Sequence, residues 1–284
     1  MIDLTPHQNN LVRRAKAYPF GIPKSSYLFI NGECWPVNLY DEIEPESSIV
    51  RLNDKTASVA ELCMSKGIET SCLKAPRIPV LASGSNASPA RLKEKFHGKL
   101  RRAIIPVILY SVKNLLPVFS AKFASYGSIT ATLQRARKSE TRMFVTFLSL
   151  KQLEQMHQTE AIGDEYDFAR LSGVEMHQKG EEPTIQKTVY AYLSRKGVFN
   201  VSGHQFTLDS RSGPFDGFTH KTQLEMLTQA RDLLSPQENL DRFILKNITN
   251  QKLRRKNNQL LQQYSRPFVA KDTTLFTGNP SSLF

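Results

Sequence analysis

Pro79-Val-Leu-Ala-Ser-Gly-Ser-Asn-Ala-Ser-Pro-Ala-Arg-Leu92 reads as a buried strand, a tight loop and a helix start in one line. Val80, Leu81 and Ala82 are a short apolar run, and Ser83-Gly84-Ser85-Asn86 is a turn of small residues. Ser88 has the chemistry of an N-cap. Pro89 falls at the first helical position, where its missing N–H is no loss. Such a loop presents backbone N–H groups at the positive end of a helix, a cradle for a carboxylate or phosphate. The same pattern also serves as an ordinary strand–turn–helix connection, and the loop alone leaves both readings open.

Ser149-Leu-Lys-Gln152 is a capping box that opens a second helix. Leu153 and Met156 mark its apolar stripe, and Glu160 falls four residues after Met156, on the inward line if the helix reaches that far. A partly desolvated carboxylate there is expected to have a raised pKa and to accept a proton near neutral pH. If Gly163, Asp164 and Glu165 end the helix early, Glu160 is solvated instead. Glu154 lies off the stripe and Glu165 falls in a polar turn, so both are expected in solvent. His157, three residues before Glu160, is placed either to orient the carboxylate or to pack.

These motifs resemble the γ-glutamylcyclotransferase-like superfamily. Its signature is a strand, Tyr-Gly-Ser-Asn and a helix, then a Gly-x-x-(Ala)-Thr-(Ile/Leu) turn, a strand, a short helix, a catalytic Glu and a Tyr. Here the loop is Ser83–Asn86, followed by Arg91-Leu92, Gly127-Ser-Ile-Thr-Ala131-Thr132-Leu133, the run Met143–Leu148, the helix from Leu150, Glu160 and Tyr166. The match spans roughly Ile78 to Leu208. Ser83 stands where the family has its loop Tyr, and Ala161 where a Gly usually follows the Glu. The resemblance implies a compact mixed α/β barrel with its pocket at the loop-plus-Glu end. It implies Glu160 as general base, with Ser83, Gly84, Ser85, Asn86 and Tyr166 binding substrate. The implied reaction is intramolecular aminolysis of a γ-glutamyl amide or peptide, releasing 5-oxoproline without metal or organic cofactor. The alternative is a catalytically silent binding or regulatory module on the same fold, which Ser83 favours. A third reading is a basic nucleic-acid-associated protein.

With 284 residues, 40% hydrophobic and 23% charged, the chain can bury a full core and is expected to be mostly globular. No apolar run approaches the ~20 residues of a membrane helix, so no membrane partner is expected. Cys34, Cys63 and Cys72 have no metal-like spacing, and Met-Ile-Asp-Leu-Thr-Pro lacks a leader's basic start and apolar core. A reduced, cytoplasmic protein is expected. No pair among the six His has ligand spacing, so no metal site is expected. Net charge is +12. The excess gathers between Arg91 and Arg102 and between Arg242 and Lys271, the latter without an Asp or Glu. Either stripe could meet nucleic acid or an acidic surface. The solvated-face reading is preferred, because no aromatic platform or nucleic-acid motif accompanies the charge.

The remaining elements set the fold class. Thr5–Ala17 reads as a helix with Thr5 as cap. Asn31-Gly32 joins Ser26–Ile30 and Glu33–Val37 in a hairpin, and Val59–Ser65 reads as a short helix. Ile104–Val112, Val118–Tyr126, Met143–Leu148, Thr188–Leu193 and Gln205–Leu208 read as strands. Lys221–Leu234 and a longer Asn239–Tyr264 read as helices, and Ser265–Phe284 as a tail. The expectation is an α+β fold with a small mixed, mostly antiparallel, barrel-like core flanked by helices. Its parts are an N-terminal extension (1–75) packing on the core, the central domain (76–210), and a linker with basic, accessory C-terminal helices (211–284). The sequence leaves the oligomeric state and the exact substrate open.

Overall fold

The structure, a computed structural model, describes residues 3–53, 55–96, 98, 104–179, 187–208, 217–268 and 273–276. In chain order the elements are α1 (Pro6–Lys16), β1 (Tyr27–Ile30), β2 (Glu33–Leu39), β3 (Ile49–Leu52), β4 (Lys55–Ser58), α2 (Val59–Ser65), α3 (Ser71–Lys74), β5 (Ile78–Ala82) and α4 (Pro89–Phe96). Then come β6 (Ile104–Phe123), β7 (Ile129–Leu148), α5 (Leu150–Glu160), β8 (Tyr166–Val174), β9 (Met176–Gln178), β10 (Lys187–Ser194), β11 (Val198–Val201), β12 (His204–Thr207) and β13 (Phe218–His220). The chain ends with α6 (Gln223–Leu234), α7 (Leu240–Thr249), α8 (Gln251–Leu261), β14 (Ser265–Arg266) and β15 (Thr273–Phe276).

The fold is α+β, built on a large, mostly antiparallel sheet. Its main order is β15-β8-β10-β5-β7-β6-β1-β2-β3-β4, and among the described strands only β5–β10 and β12–β13 pair in parallel. The expected barrel is corrected on two points. The sheet is not small, with 15 strands among the described residues, and their order is open at both ends rather than closed. The physical reason is β1, which pairs antiparallel with β6 and carries β2, β3 and β4 outward from it. The first segment thus extends the central sheet itself. Its hairpin turns on Asn31 and Gly32, both at positive φ (51° and 93°), as a tight two-residue turn requires.

Two long strands carry the middle of the molecule. The expected separate strands Ile104–Val112 and Val118–Tyr126 are one strand, β6, and Met143–Leu148 is only the end of β7. Bulges bend these strands without ending them. Asn114 and Lys138 take left-handed φ (59° and 62°), and Asn114 Oδ1 accepts from the Lys138 N–H at 2.8 Å. Side chains alternate into two cores. Leu28, Ile30, Tyr110, Val145 and Leu171 bury on one face, and Tyr27, Phe29, Val107, Phe144 and Phe168 on the other.

A third core joins the two ends of the chain. Val12 and Ala15 of α1 meet Met226, Leu227, Phe243, Ile244 and Leu261 of the C-terminal helices over Phe119, Phe123 and Phe199. The single helix expected over Asn239–Tyr264 is broken at Asn250, whose backbone leaves the helical region (φ −114°, ψ 96°). Its side chain restarts α8 by accepting from the Leu253 N–H at 3.0 Å. The expected tail contains β14 and β15, which pair with β11 and β8. Most of the expected linker, from Ser210 to Asp216, and His97 lie outside the described residues.

Candidate functional site

The quoted loop follows β5 directly. After Ala82 the chain bends at Ser83 and Gly84, makes one 3₁₀ turn over Ser85–Ala87, and enters α4 at Pro89. Gly84 has an ordinary negative φ (−146°), so its need for glycine is spatial. A Cβ there would overlap the Tyr18 hydroxyl and lie 2.9 Å from Ala131 Cβ. Tyr18, from the turn after α1, accepts from the Ala131 N–H at 2.9 Å and is buried, which pushes its hydroxyl pKa up. Ser88 does not use its side chain as a cap. Its hydroxyl donates to the Phe20 carbonyl at 2.6 Å and fastens the same turn to the loop.

Opposite the loop stands α5. Ser149 and Gln152 close the expected capping box, and Leu153 and Met156 are fully buried. The helix does last to Glu160, its final residue, and Ala161 then takes the left-handed conformation (φ 47°, ψ 56°) that favours glycine. Glu160 therefore faces the loop. Asn86 Nδ2 donates to Glu160 Oε1 at 3.2 Å. Ser83, Gly84, Ser85, Asn86, Glu160 and Tyr166 all line one cavity of about 390 Å³, within the usual size of small-molecule sites.

The electrostatics differ from the expectation. Lys95, one turn after Arg91 on α4, forms an ion pair with Glu160 Oε1 and donates to Asn86 Oδ1 at 2.8 Å and Met156 Sδ at 3.2 Å. Its side chain is 3% exposed and that of Glu160 12%. Burial alone would raise the Glu160 pKa, as expected from sequence. The Lys95 charge and the hydrogen bonds from Lys95 and Asn86 outweigh it and hold the carboxyl below the usual range. Burial also lowers the Lys95 pKa, against the pull of Glu160. Among the described residues, Glu160 Oε2 makes no hydrogen bond, so it is the oxygen left for a ligand.

A second buried pair lies beside the first. Lys122, on β6, binds Glu165 and sits 4.4 Å over the Tyr166 ring, while the Tyr166 hydroxyl donates to Thr130 Oγ1 at 2.8 Å. Glu165 is thus ion-paired on the cavity wall rather than free in solvent. His157 makes no hydrogen bond to Glu160; its Nδ1 is 2.8 Å from the Tyr192 hydroxyl and its ring packs on Phe168. Among the described residues no group of three His, Cys, Asp or Glu gathers as a metal site, and no helix is long and apolar enough to cross a membrane.

The rest of the wall comes from segments without a motif. Arg91 lies against the rings of Phe20 and Tyr126 and pairs with Glu94. From α8 come Gln251, Arg254, Arg255 and Asn258. Asn258 binds both the N–H (2.8 Å) and the carbonyl (3.1 Å) of Phe123, so α8 is stitched to the strand that carries Lys122. Of the C-terminal helices, α8 lines the cavity, whereas the expectation made all of them accessory.

The chain matches no protein-family model, no curated protein and no solved structure.

Proposed function

We propose that the protein binds a γ-glutamyl compound in this cavity and cyclises it to 5-oxoproline, releasing the attached amine. The observation that carries the reading is the meeting of the Ser83–Asn86 loop with Glu160 across one cavity, joined by the Asn86–Glu160 hydrogen bond. In this reading the backbone of Gly84, Ser85 and Asn86 holds the substrate α-carboxylate. The α-ammonium lies at the free Oε2 of Glu160 and gives it a proton. The neutral nitrogen attacks the γ-carbonyl carbon of the same molecule and a five-membered ring closes; as the old C–N bond breaks, the departing nitrogen takes the ring nitrogen's second proton and the first one back from Glu160, so the amine leaves as an ammonium and Glu160 is again ionised.

Lys95 has two effects in this scheme. It keeps Glu160 ionised before substrate arrives. Its charge also disfavours the ammonium form of the substrate amine beside it, which eases the proton transfer. The carboxylate itself is a weaker base for being paired. That observation favours a second reading, a binding or regulatory module that holds the same ligand without turning it over. A cytoplasmic, reducing location belongs to the proposal, in keeping with three free cysteines.

The test is 5-oxoproline release from a panel of γ-glutamyl peptides and amines. Glu160→Gln keeps the shape and removes the base, so the rate should fall ~10²–10⁴-fold. Equal activity of parent and variant would exclude Glu160 as base. Binding without turnover by the parent would select the second reading.

A further inference from the structure

Tyr18 lies in the turn after α1, and three hydrogen bonds fasten that turn to the cavity. The Ser128 hydroxyl donates to the Ala15 carbonyl at 2.8 Å, the Ser88 hydroxyl to the Phe20 carbonyl at 2.6 Å, and the Ala131 N–H to the Tyr18 hydroxyl at 2.9 Å. The Tyr18 ring meets Phe20 edge-on, with centroids 5.6 Å apart. The hydroxyl is thereby held against Gly84, where an added Cβ would overlap it, and Tyr18 lines the same cavity as the loop and Glu160.

The oxygen of this hydroxyl is engaged and its proton is not. Burial pushes the pKa up, against the pull of the Ala131 and Ser85 backbone groups, so the proton stays on at any working pH. Among the described residues no group accepts from it; Glu160 acts on it through space only. Tyr18 is 6% exposed. A donor buried so deeply carries a penalty until an acceptor meets it, and the cavity is where an acceptor can enter.

We infer that the Tyr18 hydroxyl donates to the anion held at the Ser83–Asn86 loop, so that the N-terminal segment supplies part of the ligand's carboxylate site. This rests on the γ-glutamyl reading above, in which the acceptor is the substrate α-carboxylate. It goes beyond that reading by adding a binding residue from outside the stretch Ile78–Leu208. A phenol suits the place. It adds a donor near Glu160 without adding a positive charge that would compete with the substrate ammonium for that carboxylate.

Calorimetry with γ-glutamylethylamide on the full chain tests it. Tyr18→Phe keeps the ring and removes the donor, and should weaken binding about tenfold or more, the usual worth of a hydrogen bond to a charged group. Ser128→Ala removes a different anchor of the same segment, off the cavity wall, and should leave binding within about twofold. In the turnover assay the Tyr18→Phe loss should appear in KM, with kcat within about threefold, because the α-carboxylate keeps its charge through ring closure. Tyrosine labelled with carbon-13 at Cζ and placed at position 18 alone reads the hydroxyl without any substitution, and its resonance should shift when ligand saturates the protein. Tyr18→Phe binding within about threefold of the parent overturns the donor and leaves the γ-glutamyl reading standing. So does an equal loss in Ser128→Ala, a loss confined to kcat, or a Cζ resonance that ligand does not move. Failure of the parent to bind overturns the γ-glutamyl reading and the role of Tyr18 with it.

Discussion

Replacing Lys95 with methionine removes one half of a buried pair while keeping the apolar stem. Without the ammonium, Glu160 retains one hydrogen bond, from Asn86 at 3.2 Å, and its burial meets no nearby opposing charge except the more distant Lys122. Breaking such a pair typically costs about 3–5 kcal/mol. The lower end applies here, because the carboxylate is 12% exposed at a cavity wall. The effect has a definite sign with pH. In the parent, Glu160 is held below its ordinary range. Its contribution is therefore present above the unfolded carboxylate pKa of about 4.3 and is lost as pH falls through the folded value. In Lys95→Met burial dominates and the folded pKa rises above the unfolded one. The variant is then penalised at neutral pH and relieved as the carboxyl takes a proton. The stability gap between parent and variant should narrow between about pH 8 and pH 5. Urea unfolding across that range measures it. Adding Glu160→Gln to Lys95→Met should restore most of the lost stability, since no charge is then buried alone. A gap under about 1 kcal/mol at neutral pH, the worth of an exposed pair, would refute the reasoning. So would a gap that ignores pH or one that the double variant fails to close.

Three further outcomes follow from the geometry. Gly84→Val should abolish ligand binding in calorimetry, because its side chain would overlap the Tyr18 hydroxyl, while Ser85→Ala should only weaken it; parent-like binding by Gly84→Val would exclude the loop as the anion cradle. Ala161→Gly should stabilise the protein by about 0.5–1 kcal/mol in urea unfolding, since a left-handed alanine costs roughly 1–2 kcal/mol and glycine's greater unfolded freedom takes part of the gain back. A chain ending before Asn239 should lose ligand binding together with the burial of Phe243, Ile244 and Leu261; full binding by the truncated chain would show that α8 is dispensable to the site.

Local signals were legible wherever a short motif dictates backbone. The cap at Thr5, the capping box at Ser149, the Asn31-Gly32 turn and the helix Val59–Ser65 stand where sequence puts them. The loop and Glu160 could be named from motif order, and the structure brings them together. Lys95 was hidden inside a basic run that reads as a solvated face. Helical spacing held a clue, because Lys95 follows Leu92 by three and precedes Phe96, both fully buried. Lys122 similarly interrupts an apolar strand, flanked by Ala121 and Phe123. Tyr18, Arg254 and Arg255 reach the cavity by long-range packing, and no local pattern announces that. The long strands escaped for the opposite reason. The bulges at Asn114 and Lys138 look in sequence like strand ends, yet they only bend the ladder.

The third core, which clamps α1 between the C-terminal helices and the far ends of β6 and β7, has a consequence for how the protein is made. One cavity wall is fixed by Tyr18 near the start of the chain and another by α8 near its end. A ribosome builds these parts in order, so a growing chain can pair β1 to β12 before α8, which completes the cavity wall, has been made. A ligand that needs the whole wall would be held only after α8 has emerged and docked on Phe123.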